Sequence, residues 1–168
     1  MLKFSRKGLR VCMENEPQPA PTPFTVRRYQ PGDSEAVSEI CRHSPEAAQW
    51  PKETYDQAHS SGQILLIAEL NGQICGFLVA RIAGDEAEML NAAVDTAHRR
   101  QGVGTALLEA AVTTAQARGA KNVYLEVRES NSAAISFYRQ HGFQKTAERR
   151  QYYSRPTENA VVMKKLTA

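Results

Sequence analysis

The sequence predicts an α/β domain: a mixed sheet with helices on both faces. The order of elements carries this reading, because strand and helix patterns follow one another as βααβββαβαββ. Two segments anchor the order. Val103, Ala106, Leu107, Ala110, Ala111 and Thr114 recur at the i, i+3, i+4, i+7 spacing of an amphipathic helix. Asn122–Arg128 alternates strictly, with Val123, Leu125 and Val127 on one face and Tyr124, Glu126 and Arg128 on the other.

The remaining elements follow in chain order. Residues 1–23 read as an extended or disordered tail, since Pro17, Pro19, Pro21 and Pro23 each push the preceding residue out of the helical region. The folded domain then spans residues 24–168. Thr25–Tyr29 reads as a short strand, and Pro31-Gly32-Asp33 as a turn. Asp33 or Ser34 is placed to cap a helix running to about His43. Pro51 opens a second short helix, from Lys52 to His59. Ile64–Leu70 and Gln73–Ile82 are strands joined by Asn71-Gly72, the strongest short-range hairpin signal. Gly84-Asp85 turns into a strand over Ala87–Val94. The amphipathic helix starts after Gly102 and stops by Gly119. Ser130 or Asn131 caps the last helix, which ends at His141-Gly142. Phe143–Tyr153 and Ala160–Leu166 read as a closing hairpin.

Composition narrows the function classes. A chain of 168 residues is one domain at roughly 100–200 residues per domain. No apolar run reaches the roughly 18 residues of a membrane span, so no membrane association is expected, and Met1–Pro23 lacks the apolar core of a secretory signal. The net charge is +3, and the tail supplies most of it through Lys3, Arg6, Lys7 and Arg10 against Glu14 and Glu16. The body is left near neutral, without the electrostatic footprint of a nucleic-acid binder. Cys12, Cys41 and Cys75 are an odd number with no paired spacing, which fits a reducing, cytoplasmic setting. His43, His59, His98 and His141 are scattered, so no metal site is expected.

Three features carry chemistry. Arg99-Arg100-Gln101-Gly102-Val103-Gly104-Thr105 follows a strand and opens the best helix in the chain. Glycines there let backbone approach a ligand, and the unpaired N–H groups of a first helical turn favour an anion. A pyrophosphate cradle and a plain strand-to-helix turn both fit. Glu126 lies mid-strand opposite three apolar residues, where a carboxylate suits either a general base or a salt bridge to Arg128 or another base. Tyr138 sits beside Phe137 on the last helix, where a phenol serves either as proton donor or as core packing. Asn131 suits either a helix cap or a cap that also binds a ligand.

These residues together resemble the GNAT acetyltransferase superfamily. The run Arg99-x-x-Gly102-x-Gly104 looks like its acetyl-CoA pyrophosphate motif, preceded by Met89–Val94 where the family has a splayed central strand. Leu125–Asn131, Ala134, Phe137-Tyr138 and Gly142-Phe143 resemble the rest of its cofactor half. Leu125–Asn131, Phe137-Tyr138 and Arg149–Tyr153 are most similar to the RimI-type ribosomal-protein alanine N-acetyltransferases. The resemblance implies a mostly antiparallel sheet with splayed central strands. It implies acetyl-CoA as cosubstrate, held by Ala92, Ala93, Val94, Arg99, Arg100, Gln101, Gly102, Val103, Gly104, Thr105 and Asn131. It implies Glu126 as general base, acting through water, and Tyr138 as general acid for the departing thiolate. No nucleophile on the enzyme is required.

The implied acceptor is a peptide or protein N-terminus, a ribosomal protein among the candidates. A terminal amine has a pKa of about 7.7–8 against about 10.4 for lysine, so its free base is roughly several hundred times more abundant at neutral pH. Trp50, Tyr152 and Tyr153 are placed to wall a peptide groove, although Trp50 fits equally as packing between the two short helices. Gln49-Trp50-Pro51 departs from the RimI-type order, in which proline precedes tryptophan. That departure bears on the acceptor more than on the chemistry. Two alternatives stand beside this reading: a small-amine acetyltransferase (polyamine, amino acid or drug), and a regulatory module that binds acetyl-CoA without turnover.

Overall fold

The computed structural model describes residues 24–167; the proposed tail, residues 1–23, lies outside them. Seven strands and four helices occur in the order β1 (Thr25–Arg28), α1 (Ser34–Arg42), α2 (Lys52–Ser60), β2 (Ile64–Leu70), β3 (Gln73–Ala83), β4 (Glu86–Val94), α3 (Val103–Ala117), β5 (Asn122–Arg128), α4 (Ser132–Gln140), β6 (Gln144–Ser154) and β7 (Thr157–Leu166). The strands form one sheet in the order β1-β2-β3-β4-β5-β7-β6. Every neighbouring pair is antiparallel except β4–β5.

Strand periodicity decides which layer each residue feeds. Ile64–Ala68 is a continuous apolar run because both sheet faces are covered. Leu66 and Ala68 join Leu78, Ala80, Val123, Leu125, Val127 and Met163 under α3, with Leu107, Leu108 and Phe143 above them. Leu65 and Ile67 point the other way and pack with Phe77 and Val79 against Val37, Ile40 and Tyr55 of α1 and α2. The β2–β3 turn has Asn71 at φ 50° and Gly72 at φ 80°, the two left-handed residues of a type I′ hairpin.

One local expectation is corrected, one unsignalled turn is added and one open alternative is decided. Neither Asp33 nor Ser34 caps α1 by a side chain. The Asp33 carboxylate instead accepts from both terminal nitrogens of Arg27, at 2.7 and 3.0 Å, and from the Gln30 N–H. A charged fork outcompetes an N-cap bond for the same oxygens. A 3₁₀ turn at Thr96–His98, which periodicity did not signal, joins β4 to Arg99. At α4 the cap is Asn131, whose Oδ1 accepts the Ala134 N–H at 3.0 Å.

The sheet contains one close backbone approach. A Cβ built on Gly76 lies 3.1 Å from each of the Ala93 carbonyl, Leu107 Cδ1 and Val103 Cγ1, so α3 seats on β3 only where a side chain is missing. No helix among the described residues is long and apolar enough to cross a membrane. Gly76→Ala is expected to lower unfolding stability by about 1–3 kcal/mol through overpacking, read as a fall in the urea midpoint. An unchanged midpoint would mean that α3 shifts freely on the sheet.

Candidate active site

The site starts where the parallel pair stops. β4 and β5 are paired over only four residue positions, from Glu86↔Asn122 to Met89↔Leu125. Beyond them β4 continues to Val94 and β5 to Arg128 without pairing to each other, leaving a wedge inside the sheet. The β3–β4 register shifts at the same point, with Ala80 opposite Met89 but Val79 opposite Asn91, so Leu90 is the extra residue of a bulge.

Ladder phase shows which backbone groups line the wedge. Asp95 N–H donates to the Cys75 carbonyl at 2.9 Å, which makes that pair a hydrogen-bonded one. Antiparallel alternation then turns the N–H and C=O of Ala93 and Asn91 toward β3, and those of Ala92 and Val94 toward the wedge. On the other side Glu129 N–H donates to the Asn159 carbonyl at 3.1 Å. Leu125 and Val127 therefore bond β7, and the backbones of Glu126 and Arg128 face the wedge. Of the three β4 residues expected at a ligand, two present backbone there; Ala93 is committed to β3.

At the mouth of the wedge stands the first turn of α3. Arg100 (φ 62°) and Gly102 (φ 87°) both adopt left-handed backbone, and no side chain caps the helix. The N–H groups of Val103, Gly104 and Thr105 are the orphan donors of that turn. A Cβ on Gly104 would sit 3.6 Å from the Phe137 ring and 3.9 Å from Val94, so α3, α4 and the end of β4 converge here. The Arg99 guanidinium is engaged elsewhere, on the Val94 carbonyl, Ser44 and Glu46. Asn131 caps α4, and its Nδ2 has no hydrogen-bond partner among the described residues.

Glu126 and Tyr138 approach the wedge from opposite faces of the sheet. Tyr138 lies on the α3–α4 side, between Phe137 and Phe143 at ring distances of 5.3 and 5.7 Å. Burial, with a smaller contribution from the phenol of Tyr153, pushes its hydroxyl up to about 12, so it stays a proton donor through neutral pH. Glu126 projects to the other face, opposite Leu125 and Val127. Its Oε1 forms an ion pair with Arg149 Nε at 3.0 Å, and the same carboxylate, facing the Tyr152 hydroxyl, raises the pKa of that phenol. The salt-bridge partner is thus Arg149. Arg128 instead pairs with Glu158 at 3.1 Å and lies 4.1 Å over the Tyr153 ring. The β6–β7 register breaks between Arg149 and Tyr153, with Gln151 at φ 50°, in the stretch that carries Tyr152 to Glu126.

Trp50 is half-buried and packs on Tyr55 at 5.6 Å, whereas Tyr152 is 47 % exposed. The structure also holds site residues that sequence reasoning passed over. Asn91 is buried, accepts the Ala48 N–H at 3.0 Å and donates to the Ala48 carbonyl at 2.8 Å, clasping the α1–α2 connection to β4. A polar residue inside the apolar run Met89–Val94 was the available signal for it. Arg149 belongs to the Arg149–Tyr153 motif, but its pairing with Glu126 carried no signal, because that carboxylate lies on another strand. No group of three His, Cys, Asp or Glu among the described residues could hold a metal ion.

A splayed parallel pair with a glycine-opened helix at its mouth defines an acyltransferase of the N-acetyltransferase type, and the chain belongs to the acetyltransferase (GNAT) family, whose model matches residues 33–143. Among particular relatives, it is 39% identical over 120 residues to the ribosomal protein bS18-alanine N-acetyltransferase of Escherichia coli K12, covering 68% of this chain and 78% of that one. The crystal structure of the ribosomal-protein-S18-alanine N-acetyltransferase from Escherichia coli superposes with a TM-score of 0.77 at 31% identity, covering 86% of this chain and 94% of that chain. Ard1 from Thermoplasma volcanium superposes at 0.79 and 32% identity, over 86% and 97% of the two chains.

Tyr138 offers a spectroscopic check. Its folded pKa lies above the ordinary value of about 10, so the stabilisation tied to the protonated phenol is present below about pH 10 and lost as pH rises toward 12. The tyrosinate absorbance of the wild type minus that of Tyr138→Phe is expected to titrate near 12. A midpoint near 10 would place the hydroxyl in water.

Proposed function

We propose that the chain transfers an acetyl group from acetyl-CoA to the α-amine of a protein N-terminus, with a ribosomal protein as the favoured acceptor. The observation that carries this reading is the wedge with Glu126 on one face of the sheet and Tyr138 on the other. An amine arriving on the Glu126 face and a thiolate leaving on the Tyr138 face define one line through the gap between β4 and β5. The similarity to bS18-alanine N-acetyltransferases supports the acceptor class. Such an acceptor sets the reaction in the cytoplasm.

Acetyl-CoA supplies the activated acetyl group. The amides of Arg100 to Thr105 hold its pyrophosphate, where backbone donors and the helix dipole both favour an anion. Ala92 and Val94 offer backbone to its pantetheine arm, as a strand edge offers pairing to a peptide, and Asn131 turns its free Nδ2 to the same arm. One N–H of this strand polarises the thioester carbonyl. Glu126 takes the proton from the attacking amine through a water, with Arg149 and Tyr152 fixing the carboxylate. Tyr138 gives its proton to the sulfur. Tyr152 and Tyr153 line the acceptor side, and Trp50 stiffens the opposite wall by packing. The exposure of Tyr152 and of β6 along its length favours an extended peptide over a small amine in a closed pocket.

The direct test is CoA release with acetyl-CoA and free Ala-, Ser- or Met-start peptides, N-blocked lysine peptides, and polyamines. Turnover confined to free N-termini is expected; turnover on polyamines alone would replace the acceptor class. Tyr138→Phe is expected to lower kcat by about 100-fold while acetyl-CoA affinity stays within about twofold, and an unchanged kcat would remove Tyr138 from proton transfer. Gly102→Val should weaken acetyl-CoA binding by at least about tenfold, because its φ of 87° is strained for a β-branched residue. Wild-type affinity in calorimetry would place the cradle elsewhere.

A further inference from the structure

The Arg99 side chain holds acceptors on two separate elements. Its Nε donates to the Val94 carbonyl at 3.1 Å. One terminal nitrogen donates to Ser44 Oγ at 3.1 Å and to Glu46 Oε1 at 2.8 Å. Ser44 is fully buried and is a node of the connection between α1 and α2. Its N–H bonds the Cys41 carbonyl, and its own carbonyl accepts from Gln49 Nε2, which also reaches the carbonyls of Cys41 and Ala47. Asn91 clasps Ala48 of the same connection. The wall that faces an acceptor is therefore hung from β4 at two points: Asn91 within the strand and Arg99 just past its end.

The upper point touches the wedge. Ladder phase turns the Val94 carbonyl toward the gap between β4 and β5, and a carbonyl oxygen has two lone pairs, of which Arg99 takes one. A ligand arm pairing with β4 fixes the peptide plane that Arg99 grips. The ion pair to Glu46 is 40 % and 39 % exposed, so its worth lies in geometry more than in energy.

We infer that Arg99 is a positioning residue that couples the cofactor strand to the acceptor wall, so that loading the wedge orders residues 43–51 for the acceptor. This rests on the reading of the wedge as the acetyl-CoA seat. The role needs a planar fork: a lysine ammonium suits a phosphate but cannot span a strand carbonyl, Ser44 and Glu46 together.

Hydrogen exchange of residues 43–51, with and without acetyl-CoA, tests it with no acceptor present. In the wild type, saturating acetyl-CoA is expected to slow exchange there by about tenfold. Arg99→Lys should abolish the slowing although the charge is kept. Glu46→Gln, remote from the wedge, should reduce it while acetyl-CoA affinity in calorimetry stays within about threefold of wild type. Retained slowing in Arg99→Lys, or undiminished slowing in Glu46→Gln, would overturn the coupling. Binding of acetyl-CoA to the wild type without any slowing would overturn it and leave the proposed function standing. No binding at all would remove both.

Discussion

The constraint on which the site depends is the early end of the β4–β5 ladder. Parallel strands are normally paired and buried along their length, because unpaired backbone groups inside a sheet are costly. Here pairing ceases at Met89 and Leu125, and both strands run on with polar backbone facing a gap. The flanking antiparallel ladders hold the two sides apart, since β4 stays bound to β3 as far as Gly76↔Val94 and β5 to β7 as far as Arg128↔Ala160. The gap is thus a rigid feature of the sheet. Helix α3, the Tyr138 phenol on α4 and the Glu126 carboxylate on β5 are all placed relative to it.

The two faces are built differently for different demands. The α3–α4 face is apolar around Tyr138, and burial there keeps a phenol protonated. The α1–α2 face meets the wedge through polar contacts instead: Asn91 to Ala48, Arg99 to Ser44 and Glu46, Arg149 and Tyr152 to Glu126. The apolar wall keeps the phenol protonated, whereas the polar wall is assembled from separate hydrogen bonds and ion pairs.

Local periodicity made most of the fold legible. Ile64–Leu70 and Asn122–Arg128 could be read to the residue, because each is bounded by turn residues and shows an unbroken apolar pattern. The glycine-opened helix and the positions of Glu126 and Tyr138 were legible for the same reason. What was not legible depends on side-chain partners that no periodic pattern encodes, most of them far apart in the chain. Asp33 leaves its cap because Arg27 lies across the turn, and Arg99 joins an ion pair with a loop more than fifty residues earlier. That Glu126 has Arg149 as partner, and Arg128 has Glu158, is set by the register of β5, β7 and β6, which no local pattern encodes.

The bulge at Leu90 inverts the parity of its strand. Before it, Ala87 and Met89 feed the α3 side; after it, Ala92 and Val94 do, while Leu90 and Asn91 fall in succession toward α1 and α2. Odd and even positions exchange faces at one residue. Deleting Leu90 alone would join Met89 to Asn91 and restore a regular strand with every remaining side chain on its present face, at the cost of the bend and extra twist that the bulge supplies. The extra residue therefore sets where β4 bends beside the gap, not which way its other side chains face, and homologous chains without it should carry a straighter β4 there.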